Sequence, residues 1–143
     1  MTRIARLALA WMTLGLALLP GAPLGAADPP SRTFAAPIDR VWLVAESVLK
    51  SLGWSIDQSD RAVGWILTDS RGLDFKDYAV YGKGVRHKLR LTLRPEGDGR
   101  TTVAVQREVY TEERILWMTD RKPLPAADQA VETAVLDAIG KAL

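Results

Sequence analysis

The sequence predicts an α+β fold in which an antiparallel sheet of four to six strands carries two helices on one face. Three patterns predict this class. Apolar residues recur at helical spacing in residues 38–52 and again in residues 127–142, and apolar and polar residues alternate strictly in residues 85–94. The predicted element order is β-α-β-β-β-β-α, with one further strand if residues 78–81 pair with a neighbour.

The first predicted helix, at residues 38–52, follows a short strand at residues 32–35. Pro37 suits its start, where a missing N–H would be unpaired in any case, and Gly53 suits a left-handed helix end. Such an amphipathic helix needs a sheet beneath it, because six apolar residues share one face: Val41, Trp42, Ala45, Val48, Leu49 and Leu52.

Two strands are expected after this helix, at residues 54–58 and 63–70, with a turn beginning at Asp60. We expect Trp42, Trp54 and Trp65 to occupy the core. The aromatic segment at residues 72–84 is interpreted as a loop, part of which is either a short strand or a helical turn.

Residues 85–94 give the clearest strand pattern, because five alternate residues share an apolar face: Val85, His87, Leu89, Leu91 and Leu93. A turn containing Gly97 and Gly99 then leads into a return strand at residues 101–110. A three-residue loop would place Leu91 opposite Val105 and Lys88 opposite Glu108.

Residues 111–125 are interpreted as a linker, because charges, an apolar run and two prolines follow one another without a period. The final helix is predicted at residues 127–142. Its buried face is expected to consist of small apolar residues, namely Val131, Ala134, Val135, Ala138, Ile139 and Ala142.

The first 27 residues are predicted to be a secretory signal peptide that is cleaved near Ala27. Arg3 and Arg6 precede a 13-residue apolar run, and small residues follow it. The run is shorter than the roughly 20 residues that cross a bilayer, so an uncleaved anchor is the less favoured alternative. We then expect a disordered leader at residues 28–31 and one domain at residues 32–143.

The charge balance excludes a strongly basic protein once the signal segment is removed. The chain has 19 Lys and Arg against 17 Asp and Glu, and loss of Arg3 and Arg6 leaves 17 against 17. We therefore expect no nucleic-acid partner.

The sequence contains no Cys, which excludes disulfides, thiolate catalysis and lipid attachment through Cys. The expected location is the periplasm.

No residue pattern predicts an enzyme, a metal site or a cofactor. His87 is the single histidine and lies on the apolar face of its strand, which favours a structural role with a backbone hydrogen bond. The acidic residues near Asp57 and Asp60, and Asp74 and Asp77, do not match a calcium loop.

Two surfaces are candidates for binding. The first is a basic stripe formed by Arg86, Lys88, Arg90 and Arg94, interpreted as a solvated face, with contact to an anionic lipid surface as the alternative. The second is an apolar partner surface, which forms only if residues 72–84 and 111–125 come together. Its candidates are Phe75, Tyr78, Tyr81, Ile115, Trp117 and Met118. The slightly favoured alternative is that Ile115 and Trp117 extend the hairpin strand and pack inward.

Residues 34–69 carry a set of motifs that resembles a known family. They are Phe34, Pro37, Val41-Trp42, Leu49, Gly53-Trp54-Ser55-Ile56, Asp60, Gly64-Trp65-Ile66 and Thr68. This run resembles the repeated domain of the NlpB/BamC outer-membrane assembly lipoproteins. The resemblance implies a helix-grip-like fold, no enzymatic activity and an accessory role beside the machine that inserts β-barrels. The chain departs from that family in lacking the anchoring Cys and in having one domain.

The expected function is therefore a non-catalytic periplasmic domain that binds an envelope protein, accessory to outer-membrane protein assembly. The alternative is a small-molecule or lipid binder, since the order of elements also weakly resembles START and Bet v 1-like proteins. The space between helices and sheet separates the two: a filled core favours the first, and an enclosed apolar cavity favours the second.

Overall fold

The computed structural model describes residues 28–143, so the predicted signal peptide at residues 1–27 lies outside the described residues. The α+β class, the antiparallel sheet and the two helices are confirmed, and the sheet has seven strands, one more than the largest number predicted. The elements are β1 (Ser31–Phe34), α1 (Ile38–Ser51), β2 (Ile56–Asp60), β3 (Trp65–Thr68), β4 (Arg71–Asp77), β5 (Tyr81–Pro95), β6 (Thr101–Ile115), β7 (Met118–Leu124) and α2 (Ala130–Ala142).

The β5–β6 hairpin runs the full length of the sheet, and different strands flank it at its two ends. Each strand has 15 residues, paired from Tyr81 and Ile115 at one end to Pro95 and Thr101 at the other. Near the hairpin turn the strand order is β1-β6-β5-β3-β2. At the other end β4 pairs with β5 and β7 pairs with β6, which makes a four-stranded region that we call the extension.

The helices bury their apolar sides on the half of the sheet near the hairpin turn. Trp42 and Trp54 are buried there with apolar residues of β3, β5, β6 and α2 in one continuous core. The fully buried side chains of the sheet include Ile66, Leu89, Leu91, Val103 and Val105. Burying each such side chain stabilises the fold by roughly 1.5–3 kcal/mol before entropy is subtracted.

The ends of α1 follow from its flanking residues. The carbonyl of Pro37 accepts a hydrogen bond from the amide of Val41 at 3.1 Å. At the other end, Gly53 adopts a φ of 80°, and the amide of Trp54 donates to the carbonyl of Leu49 at 2.8 Å. This left-handed ending is the one that glycine favours, so the helix stops here and the chain turns into β2.

The predicted hairpin register is confirmed. Leu91 lies opposite Val105 and Lys88 lies opposite Glu108, with 3.2 Å between the ammonium and the carboxylate. Gly97 and Gly99 both have a φ of 70° in the turn between the strands. Turn chemistry and strand alternation agree along this hairpin, so its pairing can be deduced from local sequence.

Two segments differ from the prediction. Residues 72–84, interpreted as a loop of which part is either a short strand or a helical turn, form β4 and the beginning of β5, so the strand alternative is correct and covers most of the segment. Residues 111–125, interpreted as a linker, continue β6 and form β7. Every residue of β7 is exposed, so its sequence carries no apolar alternation. Pro123 is compatible with this strand because β7 lies at the sheet edge, where one side needs no amide donors.

Trp65 does not belong to the core. It pairs with Thr92 on the face of the sheet away from the helices, and the guanidinium of Arg90 lies 5.4 Å from its ring centroid. The prediction was wrong because residues 63–70 contain apolar residues on both faces of one short strand. The residues of β3 that face the core are Ile66 and Thr68.

The two chain ends also differ from the predictions. β1 begins at Ser31, and the carbonyl of Pro30 accepts a hydrogen bond from the amide of Val105 at 3.0 Å, inside the predicted disordered leader. Helix α2 begins at Ala130, and its buried residues are Glu132, Val135, Leu136 and Ile139. The predicted Ala134 and Ala142 are exposed, because the helix turns Leu136 toward the core instead.

Within residues 28–143, neither helix combines the length and the apolar character needed to cross a membrane.

Candidate functional site

Two turns lie side by side at the far end of the extension. One joins β4 to β5 at residues 78–80, and the other joins β6 to β7 at residues 116–117. The amide of Leu116 donates to the carbonyl of Val80 at 2.7 Å, and the guanidinium of Arg114 donates to the carbonyl of Ala79 at 3.3 Å. The two segments therefore do come together, as the prediction of a partner surface required.

These turns present a set of exposed apolar side chains that we call the apolar tip. Their exposed fractions run from 47% to 84%, and Trp117 is the most exposed. Isolated exposed apolar residues are ordinary, but a contiguous set at one end of a sheet is typical of a binding surface. The tip consists of Tyr78, Val80, Ile115, Leu116, Trp117 and Met118.

The backbone of both turns is held in a conformation that costs free energy. Ala79 has a φ of 64° and Leu116 has a φ of 55°, although neither is glycine. The left-handed region costs an L-residue roughly 1–2 kcal/mol. Conformations of this kind concentrate at functional sites, where the surrounding structure holds them in place. Here the hydrogen bond from Leu116 to Val80 connects the two strained turns.

Three ion pairs lie close to the apolar tip in the extension. Asp77 and Arg114 are 2.5 Å apart, and Lys83 and Glu113 are 3.7 Å apart. A third pair, Lys122 and Asp120, lies on β7 at 3.7 Å. These three pairs place as many acidic as basic side chains near the tip, so the surface has an apolar centre and a charge-balanced rim.

Four of the six predicted partner residues belong to the tip, namely Tyr78, Ile115, Trp117 and Met118. Phe75 lies elsewhere, with its ring 4.7 Å from the guanidinium of Arg86. Tyr81 is half-buried and its hydroxyl donates to Glu113 at 3.3 Å. The alternative is correct in that Ile115 extends the hairpin strand, since it is the last residue of β6. It is wrong in that Ile115 and Trp117 do not pack inward, because both are exposed.

Val80 and Leu116 were missed by sequence reasoning. Each is an apolar residue within a tight turn, a position where turn sequences usually carry Gly, Asn or Asp. That mismatch between residue type and turn is the signal that would have identified them.

A polar network stiffens the face of the extension away from the helices. The hydroxyls of Ser70 and Tyr110 are 2.5 Å apart, and Arg86 donates to the Ser70 hydroxyl at 3.0 Å. The buried carboxylate of Glu112 lies 2.7 Å from Arg121 and 3.9 Å from Arg86. The hydrogen bond with Glu112 raises the pKa of Arg121. The network connects the segment between β3 and β4 with β5, β6 and β7, so it holds the tip on a rigid support.

The predicted basic stripe is largely engaged within the domain. Arg86 bonds to Ser70, Lys88 pairs with Glu108, and Arg90 lies over the ring of Trp65. Arg94 is exposed near the hairpin turn. These contacts leave less free positive charge on this face than the sequence alone indicates.

His87 is buried where β4, β5 and β6 meet. Its imidazole lies against the indole of Trp54, and its Nδ1 has no hydrogen-bond partner, so the predicted backbone bond to the ring is not seen at that atom. Burial lowers the pKa of His87, and the positive charges of Arg107 and Arg71 lower it further. The imidazole is therefore neutral at physiological pH.

Within residues 28–143, no group of three His, Asp or Glu side chains is placed to hold a metal ion. The apolar tip itself combines exposed apolar side chains, strained turn residues and paired charges.

No protein-family model matches this sequence, and no curated protein matches it significantly. The chemistry of the apolar tip is therefore the main guide to what the protein does.

Proposed function

We propose that this protein is a non-catalytic domain of the cell envelope that binds a partner protein through the apolar tip, as an accessory to outer-membrane protein assembly. The observation that carries the proposal is the placement of six exposed apolar side chains within or directly beside two strained, hydrogen-bonded turns. The predicted signal peptide and the resemblance to NlpB/BamC domains support the envelope setting. We also propose that the chain is a single-domain relative of the NlpB/BamC family.

The tip has the composition of a protein interface. Interfaces combine an apolar centre, enriched in aromatic residues and Met, with a polar rim. A few residues supply most of the binding free energy, and Trp is prominent among them. Trp117 lies in the β6–β7 turn and Met118 is the first residue of β7, with the Asp77–Arg114 pair nearby. Because the turns are already fixed by the extension, little conformational entropy is lost on binding.

The charges near the tip favour a protein over an anionic membrane surface. Binding to anionic lipid requires a local excess of Lys and Arg. Here Lys83, Arg114 and Lys122 each pair with an acidic side chain. Among the described residues near the tip, this leaves Lys76, which lies opposite Lys83, as an exposed basic side chain without an ion pair, and one such charge is no cluster. Contact of the tip with membrane lipid alone would therefore contradict the proposal.

The packing between the helices and the sheet gives less support to a carrier function. Trp42, Trp54 and the leucines of β5 are buried together in the region where a carrier of the START type encloses its ligand. A single continuous core of buried side chains occupies that region.

Site-specific photocrosslinking in living cells tests the proposal. A photoreactive phenylalanine analogue replaces Trp117, and in a matched strain it replaces Val63, which is exposed on the β2–β3 turn at the other end of the sheet. We expect a discrete protein adduct from position 117 and none from position 63. A lipid adduct alone, or the same bands from both positions, would contradict a protein-binding tip. Identification of the captured protein as an outer-membrane assembly component would support the narrower role.

Subcellular fractionation tests the location separately. We expect the exported protein in the periplasmic fraction, with a mass that corresponds to a chain beginning at Asp28. A cytoplasmic protein that retains residues 1–27 would contradict the envelope setting and leave the chemistry of the tip unaffected.

A further inference from the structure

The edge of β6 has a short gap between its two neighbours. β1 pairs with β6 as far as Ala104, and β7 pairs with it from Val109 onward. The amide of Val105 still bonds to Pro30, which leaves residues 106–108 without a strand partner on this side, over about 10 Å. Hydrogen-bonding direction alternates along an antiparallel strand, so the N–H and C=O of Arg107 point into this gap, as the N–H of Val105 does.

A groove of about 750 Å³ lies over this gap, and we call it the edge groove. One wall is Pro29 and Pro30, and the other is residues 123–128, which lead from β7 to α2. The walls are mainly Pro, Leu and Ala side chains. Sites for small molecules and peptides have this size and combine apolar walls with a few polar groups.

The polar groups at the base of the edge groove are Arg107 and Glu132, whose side chains are only 8% and 4% exposed. Arg107 Nε lies 3.4 Å from Glu132 Oε1, but its hydrogen is not aligned with that oxygen. Nε therefore lacks an acceptor and Oε2 of Glu132 lacks a donor. The other end of the guanidinium is engaged, because it donates to the carbonyl of Asp128 at 2.8 Å.

Arg107 Nε and Glu132 Oε2 are both closed to solvent, so a ligand in the edge groove meets Arg107 through its main chain. The N–H and C=O of Arg107 that point into the gap require an acceptor and a donor. An amide supplies both, since its carbonyl accepts and its N–H donates, and an extended peptide supplies such amides along its main chain.

The charges lining the edge groove favour a neutral ligand. Lys88, Arg107 and Arg121 contribute three positive charges, and three negative charges come from Glu108, Asp128 and Glu132, so the formal sum is zero. A free anion would meet three carboxylates here, and a free cation would meet three basic groups. A peptide segment whose ends are blocked, or which lies within a longer chain, has no charged ends and so avoids both of these unfavourable contacts.

We infer that the edge groove binds an extended peptide segment of a partner, with apolar side chains against the prolines and a main-chain amide paired with Arg107. The gap lies about 25 Å along β6 from the apolar tip. The two sites therefore do not overlap, and this inference stands independently of the function proposed for the tip.

Titration by nuclear magnetic resonance tests the inference on the ¹⁵N-labelled protein. The probe is an equimolar pool of tripeptides with both ends blocked, in which Ala is flanked by Val, Leu, Ile or Phe. We expect saturable shifts of the Arg107 backbone amide. In a matched pool the amide between the first residue and Ala is replaced by an ester, which lacks the N–H donor, and we expect at least tenfold weaker binding. No saturable change, or equal binding of both pools, would overturn the inference.

A blocking variant locates the binding. Ala127→Trp places a large side chain in the wall of the edge groove, and Ala62→Trp places one in the exposed β2–β3 turn as the control. We expect the first to raise the dissociation constant of the pool at least tenfold and the second to leave it unchanged. Trp117→Ala should also leave it unchanged. Retained binding in a folded Ala127→Trp protein would overturn the assignment.

Discussion

The indole of Trp54 packs against the imidazole of His87, with ring centroids 5.0 Å apart and planes inclined by 58°. The guanidinium of Arg71 lies 3.9 Å from the centroid of the same indole. This stack forms where the helix-covered half of the sheet meets the extension. It also removes the imidazole from water and surrounds it with positive charge, because Arg107 lies close enough to contribute.

The first prediction concerns the pH dependence of stability. Burial, followed by the charges of Arg107 and Arg71, lowers the pKa of His87 below its ordinary value of 6.5. As the pH falls, the unfolded chain therefore takes up this proton before the folded protein does. The contribution of the neutral His87 imidazole to the free energy of unfolding is complete above pH 6.5. As the pH falls below 6.5, this contribution declines by at most about 1.4 kcal/mol per pH unit.

Urea unfolding of the protein and of His87→Phe, measured between pH 5 and 7.5, checks this expectation. The variant has no group that titrates in this range at that position, so its stability should decline less as the pH falls. Parallel pH profiles for the two proteins would show that the His87 imidazole is not held neutral by its surroundings.

The second prediction concerns the contact between α1 and the sheet. Trp42 is buried beneath the helix, whereas the next residue, Leu43, is exposed. Trp42→Ala should lower the free energy of unfolding by about 3–5 kcal/mol, because it removes a large buried side chain. Leu43→Ala should change it by less than about 0.5 kcal/mol. Equal effects in urea unfolding would mean that α1 packs through a different face.

The third prediction separates stability from binding at the apolar tip. Trp117 is 84% exposed, so Trp117→Ala should leave the free energy of unfolding within about 0.5 kcal/mol of the unmodified protein. Affinity for the captured partner should fall about 30-fold or more, as expected for an interface residue of this type. Val63→Ala, on an equally exposed turn, is the control for both measurements. A large loss of stability on removing Trp117 would assign this residue to folding.

The fourth prediction concerns Gly84, which lies opposite Phe75 at the contact between β4 and β5 and has a φ of 152°. A Cβ atom at Gly84 would lie 1.8 Å from the carbonyl oxygen of Asp74 and 2.6 Å from the Cα of Phe75. Gly84→Ala should therefore destabilise the protein by about 2–4 kcal/mol, first by detaching β4.

Gly99→Ala is the matched control for this substitution. Gly99 has a φ of 70°, but a Cβ there has no atom within 4 Å, so only backbone strain of about 1 kcal/mol is expected. Hydrogen exchange should show β4 losing protection in Gly84→Ala and keeping it in Gly99→Ala. Equal losses of stability would rule out the close approach of the two strands at Gly84.

The candidate site could be predicted only in part, and the residues explain why. Trp117 and Met118 were identified because they are apolar residues without a periodic place. Val80 and Leu116 were missed because turns normally carry polar residues or glycine. Phe75 and Tyr81 were included because their sequence neighbours are aromatic. In the folded protein the contacts with Arg86 and Glu113 hold them away from the tip.

Sequence by itself determined the elements whose information is local. The extent of α1, its ending at Gly53 and the pairing of Lys88 with Glu108 follow from helical periodicity, strand alternation and turn residues. Only the tertiary structure decided that β4 and β7 are strands, that Glu132 is buried beside Arg107, and that two distant turns meet at one tip. The physical reason is that β7 has no buried face. The conformation of β7 is determined by its pairing with β6, and the sequence of β7 does not encode that pairing.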